Sequence, residues 1–213
     1  MKLPDLDSPR AAVVLADGAY PAGDLAAGIL AAAPWVVCCD GAADKFVARG
    51  GEPAAIVGDC DSLSPALCAR YADRLHPVAE QETNDLTKAV DFCIAQGRRE
   101  IVILGATGLR EDHTLGNISL LCHYRSRGCN VMMITDYGIF TPIDGQAAFD
   151  SFPGQQVSAF ALDPRTRLEF RGLRYRLAGD RAHSWWQGTL NEAPGDNFTV
   201  VSDGPAIIFR TFR

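Results

Sequence analysis

Residues 56–62 read IVGDCDS. Two aspartates, Asp59 and Asp61, stand one residue apart directly after an apolar run. Carboxylates about 4 Å apart repel by about 4 kcal/mol at an effective dielectric of about 20. Water or a cation must therefore lie between them. A hard cation such as Mg²⁺ takes one or two carboxylates and completes its shell with water and substrate phosphates. A second polar cluster, ETNDLTKA, spans 82–89. Thr83 or Asn84 can cap a helix there, and Asp85 falls in the first turn, where the helix dipole favours an anion. Lys88 follows three residues later on the same side. Read structurally, this is a capped helix with one ion pair; read chemically, it adds a third carboxylate and a lysine for phosphate. The third cluster, LGATGLREDHTLGN (104–117), carries Arg110, Asp112 and His113 from a glycine-bearing loop into a helix start. Backbone N–H groups of such loops hold phosphate oxygens. The loop has neither the Gly-Lys-Ser/Thr of a P-loop nor the GxGxxG dinucleotide spacing.

Elements that would position these clusters alternate along the first two thirds of the chain. AAVVLAD (11–17), WVVCCD (35–40), AAIVGD (54–59), EIVILGA (100–106) and NVMMITD (130–136) are short apolar runs. Apolar on both faces, they fit central strands of a parallel sheet. Helical segments lie between them. SPALCARYADR offers Ser64 as N-cap and Pro65 at the first helical position. TNDLTKAVDFCIAQG puts Leu86, Val90 and Cys93 on one stripe and stops at Gly97. HTLGNISLLCHYRSRG ends on basic residues and Gly128. This predicts an open α/β domain with a mainly parallel sheet over 1–136. The strand ends carry Asp17-Gly18, Asp40-Gly41, Gly58-Asp59 and Gly105-Ala106-Thr107-Gly108. Ligands of open α/β sheets bind beyond the carboxyl ends of the strands. After about Tyr137 the pattern changes to strands split by turns such as Pro153-Gly154 and Asp203-Gly204, which predicts a small antiparallel β domain over 137–213. A unit of that size is marginal alone and should lean on the first domain or on another subunit.

The chain has 213 residues, 47% apolar, enough for a sizeable core. Its net charge of −6 gives no general attraction to nucleic acid or to an anionic membrane. No run of about 18 apolar residues suggests a membrane span, and the start, MKLPDLDSPR, lacks the apolar stretch of a secretory signal. Of the seven cysteines, Cys38, Cys39, Cys93 and Cys122 sit in apolar surroundings. They read as reduced packing thiols of a cytoplasmic protein without disulfides, and Cys60 is read the same way. No Cys and His spacing suits zinc.

CDGAADKF, PxxIVGDCDS, ETNDLTKA and ILGATGLREDHTLGNI follow one another in the order and at the spacing of a known family. Taken together they resemble the thiamine pyrophosphokinases, strongly over residues 11–136. Farther on, the chain is similar mainly in being β-rich with a late GTLNEA stretch. The resemblance implies transfer of pyrophosphate from ATP to the thiamine hydroxyl, giving thiamine diphosphate and AMP. It also implies Mg²⁺, an α/β domain followed by a β-sandwich, and a homodimer with sites near the subunit interface. On this resemblance Asp59, Asp61 and Asp85 would hold the metal, with Arg110 and Asp112 between phosphate and thiamine. Asp40, Gly41, Thr83, Asn84 and Lys88 would serve the nucleotide side, together with Thr107, Gly108 and His113. Asp112, Thr189 and Asn191 would face thiamine.

The chain departs from the family pattern at several positions. Ala42 stands where a second glycine is expected, Leu109 where a glycine is common, Cys60 where a larger apolar residue is usual, and Leu190-Asn191 where Ser-Asn is frequent. None of these removes a charge. Two alternatives stay open on the residues: a pyrophosphokinase of another acceptor, such as a hydroxymethylpterin, or a nucleotide- or thiamine-binding sensor without turnover. Against the sensor stand the intact Asp59, Asp61, Asp85, Lys88 and Arg110. Exposed-looking aromatic residues of the β region, Phe149, Phe152, Phe160, Trp185, Trp186, Phe209 and Phe212, add to the expectation of a dimer.

Overall fold

The computed structural model describes residues 3–59, 61 and 63–212. Cys60 and Ser62, both part of the IVGDCDS motif, lie outside the described residues. In chain order the first part comprises β1 (Ala11–Leu15), α1 (Asp24–Ala32), β2 (Val36–Cys39), α2 (Ala42–Val47) and β3 (Ala55–Gly58). It continues with α3 (Pro65–Arg70), β4 (Leu75–Pro77), α4 (Asp85–Ala95), β5 (Glu100–Leu104), α5 (Glu111–Ser126) and β6 (Asn130–Ile134). The apolar runs form β1, β2, β3, β5 and β6, as their two-sided hydrophobicity predicts. Successive residues of β1 show the reason. Ala12 and Val14 pack with Leu86, Val90, Cys93, Leu121 and Tyr124 of α4 and α5. Val13 and Leu15 pack on the opposite face with Ile29, Leu30, Ala43 and Phe46 of α1 and α2. A strand covered on both faces by helices must be apolar at every position.

These strands run parallel in the order β6-β5-β1-β2-β3-β4. The chain winds outward from β1 to β4 and then crosses back to β5 on the other side of β1. The carboxyl end of β1 is therefore a topological switch point, where a crevice opens between loops that diverge to either face.

The remaining strands are β7 (Gly138–Ile143), β8 (Gln146–Asp150), β9 (Gln155–Ala161), β10 (Leu168–Arg171), β11 (Asn191–Ala193), β12 (Asn197–Ser202) and β13 (Ala206–Thr211). A tight turn, closed by Thr135 N–H to the Gly138 carbonyl at 2.9 Å, folds β7 back against β6. Among the described residues one ten-stranded sheet results, continuing antiparallel through β7, β13, β9 and β11. A separate antiparallel sheet, β10-β12-β8, packs on it. Ile143, Val157 and Ile208 from the large sheet meet Phe149, Phe170 and Val200 from the small one. Phe149, expected from the sequence to be exposed, is instead buried between the sheets and stacks on Phe198 with ring centroids 5.0 Å apart.

Candidate active site

Three carboxylates meet beyond the ends of β2 and β3. Asp40 follows β2, and its N–H donates to the Val57 carbonyl at 3.1 Å, extending the register that pairs Cys39 with Val57. Its φ of 34° lies in the left-handed region that non-glycine residues seldom occupy, a strain typical of functional turns. Gly58 ends β3 beside it. A Cβ at Gly58 would stand 2.9 Å from the Asp40 Cβ, so only glycine permits this approach. Asp59 and Asp61 follow, and the Asp61 N–H donates to Asp59 Oδ1 at 3.4 Å. One carboxylate oxygen from each of Asp40, Asp59 and Asp61 lies within 4.8 Å of the others. Asp40 is buried, whereas Asp59 and Asp61 are exposed. Three hard oxygen donors with an open side fit a divalent cation that keeps part of its water shell, as Mg²⁺ does. They do not fit zinc, which prefers nitrogen and sulfur.

The cluster opens into a cleft of about 450 Å³. Gly41, Thr83, Asn84, Asp85, Lys88, Thr107, Arg110 and His113 line it together with Asp40 and Asp59. Asn84 caps α4 by accepting the Thr87 N–H at 3.0 Å. That cap places Asp85 in the first turn, where its Oδ1 meets Lys88 Nζ at 3.2 Å. The Lys88 side chain is only 3% exposed. A cation so withdrawn from water is stable only beside negative charge. Asp85, paired with its own lysine, lines the same cleft as Asp40 and Asp59. Gly108 shapes the β5–α5 loop with a φ of +87°, and a Cβ there would meet Ala19 Cβ at 2.7 Å. Arg110 grips Asp112 in a two-point pair, Nη2 to Oδ2 at 2.5 Å and Nε to Oδ1 at 3.1 Å. That guanidinium, with a further hydrogen bond from the His113 N–H, holds the Asp112 carboxyl below the ordinary carboxylate range.

Thr189 and Asn191 lie outside the cleft of their own chain. Both Asn191 side-chain groups already serve the backbone: Nδ2 donates to the Tyr175 carbonyl at 2.8 Å, and Oδ1 accepts the Tyr175 N–H at 3.0 Å. Other residues that the motifs did not single out belong to the cleft. Asp17 lines it, and Lys45 Nζ binds Asp17 Oδ1 at 2.8 Å. Asn117 donates to the Ala106 carbonyl at 2.9 Å and accepts from Asn84 at 3.0 Å, tying the β5–α5 loop to the start of α4. Arg110, His113, Thr114 and Asn117 stand at positions i, i+3, i+4 and i+7, so one helical face was the available signal.

Residues 26–133 match the family model described as "Thiamin pyrophosphokinase, catalytic domain", and residues 138–209 match "Thiamin pyrophosphokinase, substrate-binding domain". The chain belongs to the thiamin pyrophosphokinase family. Thiamine pyrophosphokinase 1 of Oryza sativa subsp. japonica is 31% identical over 125 residues, 47% of this chain and 47% of that protein. Thiamin pyrophosphokinase 1 of Caenorhabditis elegans is 31% identical over 101 residues, 43% of this chain and 41% of that protein. The chain thus spans about half the length of the curated relatives it matches. The fold is shared with the thiamin pyrophosphokinase from Candida albicans (TM-score 0.81, 18% identity, 95% of this chain and 90% of that one). It is shared equally with a thiamin pyrophosphokinase family protein from Enterococcus faecalis (TM-score 0.79, 20% identity, 95% and 99%). The cleft at the switch point carries residues of the types that phosphate chemistry requires.

Proposed function

We propose that this chain is a Mg²⁺-dependent thiamine pyrophosphokinase, transferring pyrophosphate from ATP to thiamine. The observation that carries the reading is the convergence of Asp40, Asp59 and Asp61 at a cleft also lined by Lys88 and Arg110, in a chain of this family. Asp59, Asp61 and Asp85 would hold the metal as the resemblance implies, with Asp40, clustered with Asp59 and Asp61, as a further ligand. A bound Mg²⁺ neutralises charge on phosphate oxygens.

The chain's own groups do the rest by positioning and charge, which phosphoryl-type transfer needs more than covalent catalysis. Lys88 and Arg110 offset charge on the phosphate oxygens. Gly41, Thr83, Asn84, Thr107, Gly108 and His113 form the nucleotide side. The thiamine hydroxyl oxygen bonds to the β-phosphorus of ATP, the bond from that phosphorus to the α-phosphate bridging oxygen breaks, and AMP leaves. Asp112, kept ionised by Arg110, orients thiamine or takes the hydroxyl proton.

Residues 1–136 supply the nucleotide and metal half in this reading, and 137–213 the thiamine side and the dimer contact. Thr189 and Asn191 can face thiamine only at the cleft of a second subunit, which makes the site depend on a homodimer. The exposed Tyr137, Trp186 and Leu190 support such a contact. Six described cysteines are free, which supports a cytoplasmic setting. Among the described residues no helix is long and apolar enough to cross a membrane. The test is incubation with ATP, Mg²⁺ and thiamine, with AMP and thiamine diphosphate measured together. Equal amounts of both support the proposal. Absence of thiamine diphosphate, or equal turnover of a hydroxymethylpterin, contradicts it.

A further inference from the structure

The short helix α2 begins two residues after Asp40, and its neighbouring charged residues reach in opposite directions. Lys45 extends back to the end of β1, meeting Asp17 Oδ1 and, at 3.2 Å, the Gly18 carbonyl. Asp44 extends forward to the far end of the loop that carries Asp59 and Asp61. Its Oδ1 accepts the Ser64 Oγ–H at 2.8 Å, and its Oδ2 accepts the Ser64 N–H at 3.3 Å. Ser64 Oγ also accepts the Leu67 N–H at 3.4 Å, capping α3. Asp59 thus follows directly on β3, and Ser64, three residues beyond Asp61, is held by one carboxylate from the helix next to Asp40. Between these anchors Asp59 and Asp61 are exposed. Their mutual repulsion and that of Asp40 push Asp59 and Asp61 apart toward water, and the Asp44–Ser64 bonds oppose that displacement.

We propose that Asp44 is a positioning residue for divalent-cation binding. By holding Ser64 it fixes the loop that presents Asp59 and Asp61 to Asp40, and so sets the affinity of the site for the ion while touching neither ion nor substrate. Partners that orient ligands from outside the coordination shell commonly change metal affinity by about 10–100-fold when removed. The inference rests on the metal reading given above.

The experiment uses the full chain and Mn²⁺ as probe, with binding followed by loss of the free-ion electron paramagnetic resonance signal, in the absence of nucleotide. Asp44→Ala and Ser64→Ala are each expected to weaken Mn²⁺ binding by about tenfold or more. The double variant should be no weaker than the worse single one, because both remove the same bond. Asp44→Asn, which keeps an acceptor for Ser64, should recover most of the affinity. If Asp44→Ala fails to fold, Ser64→Ala reads the same bond. Parent-like binding in both single variants, or losses that multiply in the double one, would overturn the role of Asp44 alone. Failure of the parent chain to bind Mn²⁺ would overturn the metal reading and this inference with it.

Discussion

In the parallel half of the large sheet, charged residues gather beyond the strand ends, whereas in the antiparallel half the buried polar residues turn inward to the backbone. Asp40, Asp59 and Lys88 belong to the first group and line one cleft. Gln155, Asn191 and Arg210 belong to the second. Gln155 donates to the Thr211 carbonyl at 2.6 Å, Asn191 to Tyr175 at 2.8 Å, and Arg210 to Asp150 at 2.9 Å. The cause is strand direction. Parallel strands deliver all their carboxyl ends to one edge, so polar residues far apart in sequence converge there. Antiparallel strands alternate their ends, and no single edge collects them. One half is therefore suited to bind a charged ligand, and the other to give shape and stability and, in the proposed dimer, the thiamine side.

The sharpest break of this contrast would come from the sandwich core. Phe149→Ala should destabilise the fold by about 3–5 kcal/mol, because Phe149 is 1% exposed and stacks on Phe198. Since the ten-stranded sheet runs through both halves, thermal unfolding should remain one transition. Two separate transitions would show halves that unfold independently. On the other side of the contrast, Asp61→Asn should leave the melting temperature nearly unchanged and reduce turnover at least about a hundredfold, or about 2.7 kcal/mol of barrier. Near-parent turnover in the folded variant would remove Asp61 from the site.

Asn191→Ala tests whether polar residues of the antiparallel half are structural. It should cost about 1–3 kcal/mol in denaturant unfolding, since it strips both hydrogen bonds from Tyr175. Parent-like stability would refute the structural role, and a rise in the KM for thiamine beside the stability loss would support the thiamine-side role proposed above. The smallest effect concerns Asp112. Its folded carboxyl lies below the ordinary range because Arg110 and the His113 N–H favour the charged form. The pair therefore contributes above the ordinary carboxyl range and is lost as pH falls through the depressed value. In Arg110→Ala, carbon-detected titration should move the Asp112 midpoint upward; an unmoved midpoint would show that the pair does not persist in solution.

Much of this contrast was legible in the sequence. The two-sided apolar runs forecast β1, β2, β3, β5 and β6, and Ser64, Pro65 and Asn84 marked the starts of α3 and α4. Other elements carried weaker signals. Gly23 offers no side-chain cap to the Ala-rich α1, the six residues of α2 are too few to show a stripe, and β4 has only three residues. The acids of the site were visible, but their grouping was not. The resemblance names Asp85 as the third metal carboxylate, and it lines the same cleft; the acid that clusters with both Asp59 and Asp61 is Asp40. Its position follows from the pairing of β2 with β3 and from the space left by Gly58, neither of which a linear spacing reveals.

The central claim is that the carboxylates beyond β2 and β3 make transfer to thiamine depend on a divalent cation. The most direct measurement is AMP release from ATP in the presence of thiamine, after removal of divalent ions by a chelator and during stepwise return of Mg²⁺. The account predicts no release in the chelated protein, full recovery with Mg²⁺, and little recovery in Asp40→Asn at the same concentrations. Thiamine-dependent release that persists under chelation, or that Asp40→Asn recovers as the parent does, would contradict it.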